Sequence, residues 1–129
     1  MSFAALLILY IAFRIKHTLC DHFLQTTRMA TQKHKDLLAL LSHAGIHAIG
    51  TLIISLILAP SFWWLALIDL IIHAAIDYIK ANIVVRKNLT PEMKPYWWAM
   101  GLDQEAHNFT HLAFIVLIFM QTNGMYIFS

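Results

Sequence analysis

The sequence predicts an all-α, integral-membrane four-helix bundle, and three observations carry that expectation. The chain of 129 residues is 60% hydrophobic and only 12% charged, with a mean hydropathy of +0.66, which is too apolar for an ordinary soluble domain. It holds four apolar runs of membrane length, separated by short polar or proline-bearing connections. Seven of its nine Lys and Arg (Arg28, Lys33, Lys35, Lys80, Arg86, Lys87 and Lys94) fall at or in two of those connections. The connection around Pro60 and both termini carry no such residue, so the two basic loops are expected in the cytoplasm and both termini outside. At roughly 20 residues per span, the length allows one domain of about four spans and no second domain.

The first helix is expected from about Ser2 to Gln25, before the polar, basic stretch Thr26 to Asp36. The second runs from about Leu37 to Ala59 and stops at Pro60, whose ring nitrogen cannot donate to the helix. The third opens at Phe62 and reaches about Val85, where Asn88, Pro91 and Pro95 mark irregular backbone. The fourth spans about Trp98 to Gln121, ends at Thr122-Asn123-Gly124, and leaves Met125 to Ser129 as a short tail. Trp63 and Trp64 at one boundary, and Tyr96, Trp97 and Trp98 at the other, suit the headgroup level.

The N-terminal apolar run has no basic segment before it and no small-residue cleavage pattern after it, so it is expected to be a retained helix. Cys20 is the single cysteine, which leaves no intramolecular disulfide and no paired-cysteine motif. It reads as a small buried apolar residue.

Four stretches place acidic or imidazole side chains four residues apart: His17/Asp21, His43/His47, His73/Asp77 and Asp103/His107/His111. Residues at that spacing share a helix face, so each helix offers two or three ligands pointing one way. Laid on the topology, all four sets fall in the cytoplasmic half, although only hydrophobicity and basic residues fixed that topology. An ionised Asp at membrane depth costs about 2.5 to 3.5 kcal/mol, so Asp21, Asp77 and Asp103 need partners. A divalent cation neutralises carboxylates and occupies imidazole lone pairs together. The expected ligands are therefore His17, Asp21, His43, His47, His73, Asp77, Asp103, His107 and His111. Nitrogen and oxygen donors without thiolates fit zinc first, with Mn, Fe or Ni open, and so many ligands suit two ions.

Neighbouring residues receive other roles. Asp69 is shallower and reads as an interhelical hydrogen-bonding group, while His22 and His34 read as non-ligands. Lys80, three residues after Asp77, is a candidate to receive a phosphate or else an interfacial snorkelling lysine. Glu105 is a candidate general base beside a metal-activated water. Gln25 and Gln104 flank the acidic positions, and Gly45 and Gly50 are expected to let helices approach closely. Arg14 and Lys16 resist the scheme. Either the helix breaks after Phe13, or these cations line a polar cavity and meet an anionic ligand.

The string His17-Thr-Leu-Cys-Asp21-His-Phe23-Leu24-Gln25-Thr26, with Lys33, Lys35, His43-x3-His47, His73-x3-Asp77-x2-Lys80 and Asp103-Gln104-x2-His107, resembles a known family. That family of small bacterial and phage membrane proteins is catalogued as a domain of unknown function, numbered three-three-zero-seven. The likeness runs from about Leu6 to Leu117. It implies a bacterial inner-membrane protein and no particular activity. A fainter similarity, of ligand type alone, links His17, Asp21, His43, His47, His73, Asp77, Asp103 and His107 to membrane-bound metal-dependent hydrolases and to zinc phospholipases and nucleases. This chain lacks their longer loops.

The function expected first is metal-dependent hydrolysis of a phosphoester, either a lipid headgroup or a nucleotide. A metal-ion or proton conduit and a non-catalytic partner protein with a structural metal are the rivals. Membrane lipids and further copies of the chain are the expected partners, and direct nucleic-acid binding is not expected.

Overall fold

A computed structural model of the chain describes residues 1–124 and is all-helical over them. The tail Met125 to Ser129, and with it the outward placement of the C-terminus, lies outside the described residues.

Helix α1 spans Phe3–Thr18, capped by Ser2, whose Oγ accepts from the Ala5 amide at 3.2 Å. It does not continue as an α-helix to Gln25 as expected. Residues Leu19–Phe23 form one π-helical turn, closed by the Leu24 amide on the Leu19 carbonyl at 3.0 Å. The next stretch is not a simple loop, because Thr26 caps a short helix α2, Thr27–Gln32. Helix α2 turns the chain back over the end of the bundle and buries Lys33. Asp36 then caps α3, Leu37–Leu58, by accepting from the Ala39 amide. The hydrogen-bonded Arg28 guanidinium, 2.6 Å from Asp36, holds that carboxyl below the ordinary carboxylate range.

A 3₁₀ turn at Pro60–Phe62 links α3 to α4, Leu65–Arg86, so α4 begins later than the sequence suggested. It ends before Asn88, which takes a left-handed conformation with φ 47°. Helix α5, Lys94–Thr122, begins four residues earlier than expected. Pro95 caused that error: it sits in the first turn, where its missing donor costs nothing.

Helices α3 and α4 pack closely, α4 packs on α5, and α1 touches both α3 and α5, which closes a ring of four long helices. Each buries one stripe at helical spacing: Leu9, Phe13, Lys16, His17 and Cys20 on the first; His43, His47, Thr51 and Ser55 on α3. On α4 the stripe is Leu65, Asp69, His73 and Asp77, and on α5 it is Asp103, His107, His111, Phe114 and Ile118. One half of the interior is therefore apolar, built on Leu9, Phe13, Phe62, Leu65, Phe114, Ile115 and Ile118. The other half is polar.

The segments Phe3–Phe23 and Leu37–Leu58 are long and apolar enough to cross a membrane. Helices α4 and α5, expected as two further spans, are not apolar enough to be counted with them because they carry more charge, of which Asp69, Asp77 and Asp103 face inward. Outward they present Leu67, Ile71, Ile79, Leu102, Phe109 and Val116.

Lys16 resolves the difficulty at the end of α1 without a break and without a foreign anion. Its Nζ donates to Asp69 Oδ2 at 2.9 Å and Thr51 Oγ1 at 3.0 Å, and lies 3.0 Å from His111 Nε2. Thr51 also donates to Asp69 Oδ2 at 2.6 Å. Arg14 points outward and donates to Asn108 Oδ1. Gly50 makes room for the Lys16 stem, because a Cβ there would lie 2.6 Å from Lys16 Cγ. Gly45 has no such neighbour.

Gly50→Ala is expected to destabilise the bundle by about 1 to 3 kcal/mol, since the stem it displaces is pinned at its far end. Lys16→Met, which strands Asp69, should cost about 3 to 5 kcal/mol. Thermal unfolding in detergent checks both, and a Lys16→Met/Asp69→Leu double variant should recover most of the loss.

Candidate metal centre

The polar half of the interior converges on two carboxylates. The π-helical turn holds Asp21 against α3, with Asp21 Oδ1 3.0 Å from His47 Nε2 and 3.3 Å from His43 Nε2. Its other oxygen, Oδ2, is 3.3 Å from His17 Nε2 and accepts from Gln104 Nε2 at 3.1 Å. Asp77 Oδ2 lies 3.5 Å from both His43 Nε2 and His73 Nε2, and accepts from Lys33 Nζ at 2.7 Å. Asp77 Oδ1 is 3.6 Å from His107 Nε2. His73 stacks between His47 and His107, at ring-centroid distances of 3.7 and 4.0 Å.

Two ligand groups result, Asp21/His43/His47/His73 and His73/Asp77/His107, each with donor atoms within 4.8 Å of one another. His73 belongs to both. Donors on one tetrahedral ion at bond lengths near 2.1 Å stand about 3.4 Å apart, which is the spacing around Asp77. The donor set, imidazole nitrogen and carboxylate oxygen, suits zinc, Mn, Fe or Ni.

Two further observations support the fit. Both ring nitrogens of His43 and of His73 are buried without a hydrogen-bond partner. An unmet buried polar group costs about 1 to 3 kcal/mol, a cost that an ion bound by these rings would relieve. Charge points the same way. Asp69, Asp77 and Asp103 each have a lysine (Lys16, Lys33 and Lys80), whereas among the described residues Asp21 meets only imidazoles and Gln104.

The remaining expected ligands fall around this centre. Asp103 sits at its mouth, with Oδ1 3.7 Å from His107 Nε2 and Oδ2 3.8 Å from Lys80 Nζ. His111 lies apart, in the Lys16–Asp69 network, 3.7 Å from Asp69 Oδ1. Glu105 is exposed on the other side of α5, with Asn108 donating to it at 3.4 Å, and lines a surface cavity with Arg14. It stands two residues from both Asp103 and His107, about 200° round the helix from each, and so misses the centre.

A cavity of about 310 Å³ opens beside the centre, lined by Asp21, His22, Gln25, Lys33, Asp77, Lys80, Met100, Asp103 and Gln104. Lys80 is in the cavity wall, 3.8 Å from Asp103 Oδ2. Lys33 and Gln104 were not foreseen as site residues. Lys33 is placed by the short helix α2, which left no periodic signal, and Gln104 reaches its partners sideways from the edge of the α5 stripe.

A family model described as protein of unknown function (DUF3307) matches residues 8–129. The chain belongs to this family. No curated protein and no solved structure matches it significantly. In this DUF3307 member the match spans every ligand of both groups, from Asp21 to His107.

Because His73 is common to both groups, His73→Ala should abolish stoichiometric metal. His111→Ala should leave it intact. Elemental analysis of the two purified variants beside the parent protein checks the contrast, and equal loss in both would contradict the geometry.

Proposed function

We propose that this chain is a membrane-embedded, metal-dependent hydrolase of a phosphoester, seated with its basic connections on the cytoplasmic side. The observation that carries the reading is the open cavity beside the His/Asp centre, whose wall includes the carboxylates Asp21, Asp77 and Asp103 and the lysines Lys33 and Lys80. A site that only held the bundle together would be closed by protein on every side.

The membrane setting is supported by the inverted distribution of polarity. Asp, His and Lys side chains fill the interior, while Ile57 (72% exposed), Ile71 (68%) and Leu102 (72%) cover the outside. Monomeric proteins in water rarely expose so much apolar surface, whereas in lipid it is the expected one. The same distribution weighs against a conduit, because the other half of the interior is closed by Phe13, Phe62, Leu65, Phe114 and Ile118.

A bound divalent ion would supply a nucleophilic water at neutral pH and a Lewis acid for a phosphoryl oxygen. The chain's own groups divide the remaining work. Lys33 and Lys80, both in the cavity wall, neutralise and orient the phosphate. Asp103 Oδ1, buried, without a hydrogen bond and at the mouth, is placed to accept a proton, the role that Glu105 is too distant to fill. Gln104 holds Asp21 and His17 in register.

Zinc-loaded protein in nanodiscs should hydrolyse a chromogenic phosphoester and lose that activity on chelation. Asp103→Asn should lower kcat about 10² to 10⁴-fold, and Glu105→Gln should leave it within a factor of two or so. Steady-state kinetics on the two variants decide the assignment, and the reverse order would refute it.

A further inference from the structure

We infer that the substrate is a membrane lipid bearing a phosphoester, admitted sideways between α4 and α5, with its phosphate held at Lys80 and Lys33. This rests on the hydrolase reading and narrows its substrate class. An apolar groove of about 260 Å³ runs between the two helices, lined by Ile76, Ile79, Ile83, Ala99, Leu102 and Ala106. It ends on Lys80 and Asp103, and the same two residues line the cavity at the metal centre. The groove and the cavity therefore share Lys80 and Asp103 in their walls.

The sequence builds this meeting point. Ala99, Leu102 and Ala106 recur at helical spacing on α5, and the two alanines leave a furrow where larger side chains would close it. Lys80 lies half-buried in the wall of the groove, its Nζ 3.8 Å from Asp103 Oδ2. That spacing is looser than the 2.7 Å between Lys33 and Asp77, so Lys80 is the freer of the two cations to meet an incoming anion.

Lipid tails are as apolar as the furrow, so the groove adds little affinity of its own. Selection falls to the phosphate, through charge-assisted hydrogen bonds to Lys80 and Lys33. A free nucleotide would use the cavity and have no occupant for the groove. A lipid phosphoester uses both.

The test is photo-crosslinking in nanodiscs with zinc-loaded protein and phosphatidic acid carrying a diazirine in its acyl chain. Adducts should concentrate on Ile79, Ile83 and Leu102, fall about tenfold in Lys80→Met, and be competed by unlabelled phosphatidic acid but not by diacylglycerol. Leu102→Trp, a change at a lipid-facing position, should block adducts at Ile79 and Ile83 while leaving Lys80 in place. Adducts spread evenly to Ile57 and Ile71 and unaffected by Lys80→Met would show annular lipid only and overturn the inference. Competition by a nucleotide and not by phosphatidic acid would overturn it also. Crosslinking needs no turnover, so adducts without hydrolysis would count against the hydrolase reading alone. Hydrolysis of soluble phosphoesters without groove adducts would count against the lipid alone.

Discussion

A carboxylate withdrawn from water must meet positive charge, and most of this bundle is arranged around that requirement. Four aspartates face the interior, and each is answered differently. Asp69 takes Lys16, Asp77 takes Lys33, and Asp103 takes the looser Lys80. Asp21 is left with three imidazoles and an amide. A buried pair is held together by its geometry and its accessory hydrogen bonds more than by Coulomb attraction alone. The deep Lys16 network has those accessories in Thr51 and His111 and leaves one ring nitrogen, His111 Nδ1, unmet, whereas at the Asp21 centre both ring nitrogens of His43 and of His73 are unmet. The first is closed by its own ion pair, and the second could hold a metal ion.

The two tiers also divide the interior by task. The Lys16–Asp69 tier separates the histidine centre from the apolar half and ties α1, α3, α4 and α5 together at one depth. Gly50 is the opening through which the lysine stem reaches it. Above that tie the stripes carry ligands, and the wide turn at Leu19–Phe23 turns Asp21 toward α3. A π-helical turn of this kind is often found where function asks a helix for an off-register side chain.

The stripes at four-residue spacing were legible in the sequence because burial of one helix face imposes that period, whatever the chemistry of the face. His43, His47, His73, Asp77 and His107 could thus be placed on buried helix faces before any coordinates. The period could not say which tier a stripe member joins, so His111 was grouped with the ligands although it belongs to Asp69. It also carried no information on partners from connections, and Lys33 reaches Asp77 only because α2 folds back. Lys16 did leave a signal: a cation inside an apolar run requires an acid at its own depth, and Asp69 on α4 supplies it. Glu105 was misjudged because proximity in sequence to Asp103 is opposition on a helix.

The central claim is that imidazoles and carboxylates from the π-helical turn, α3, α4 and α5 can hold a metal ion together. X-ray absorption fine structure at the metal edge of the purified, membrane-reconstituted protein tests it most directly. The account predicts a first shell of nitrogen and oxygen at about 2.0 to 2.1 Å, with the outer-shell scattering of several coordinated imidazoles. A sulfur shell at about 2.3 Å, which only the cysteine Cys20 or a methionine could supply, or a first shell without imidazole scattering, would contradict it.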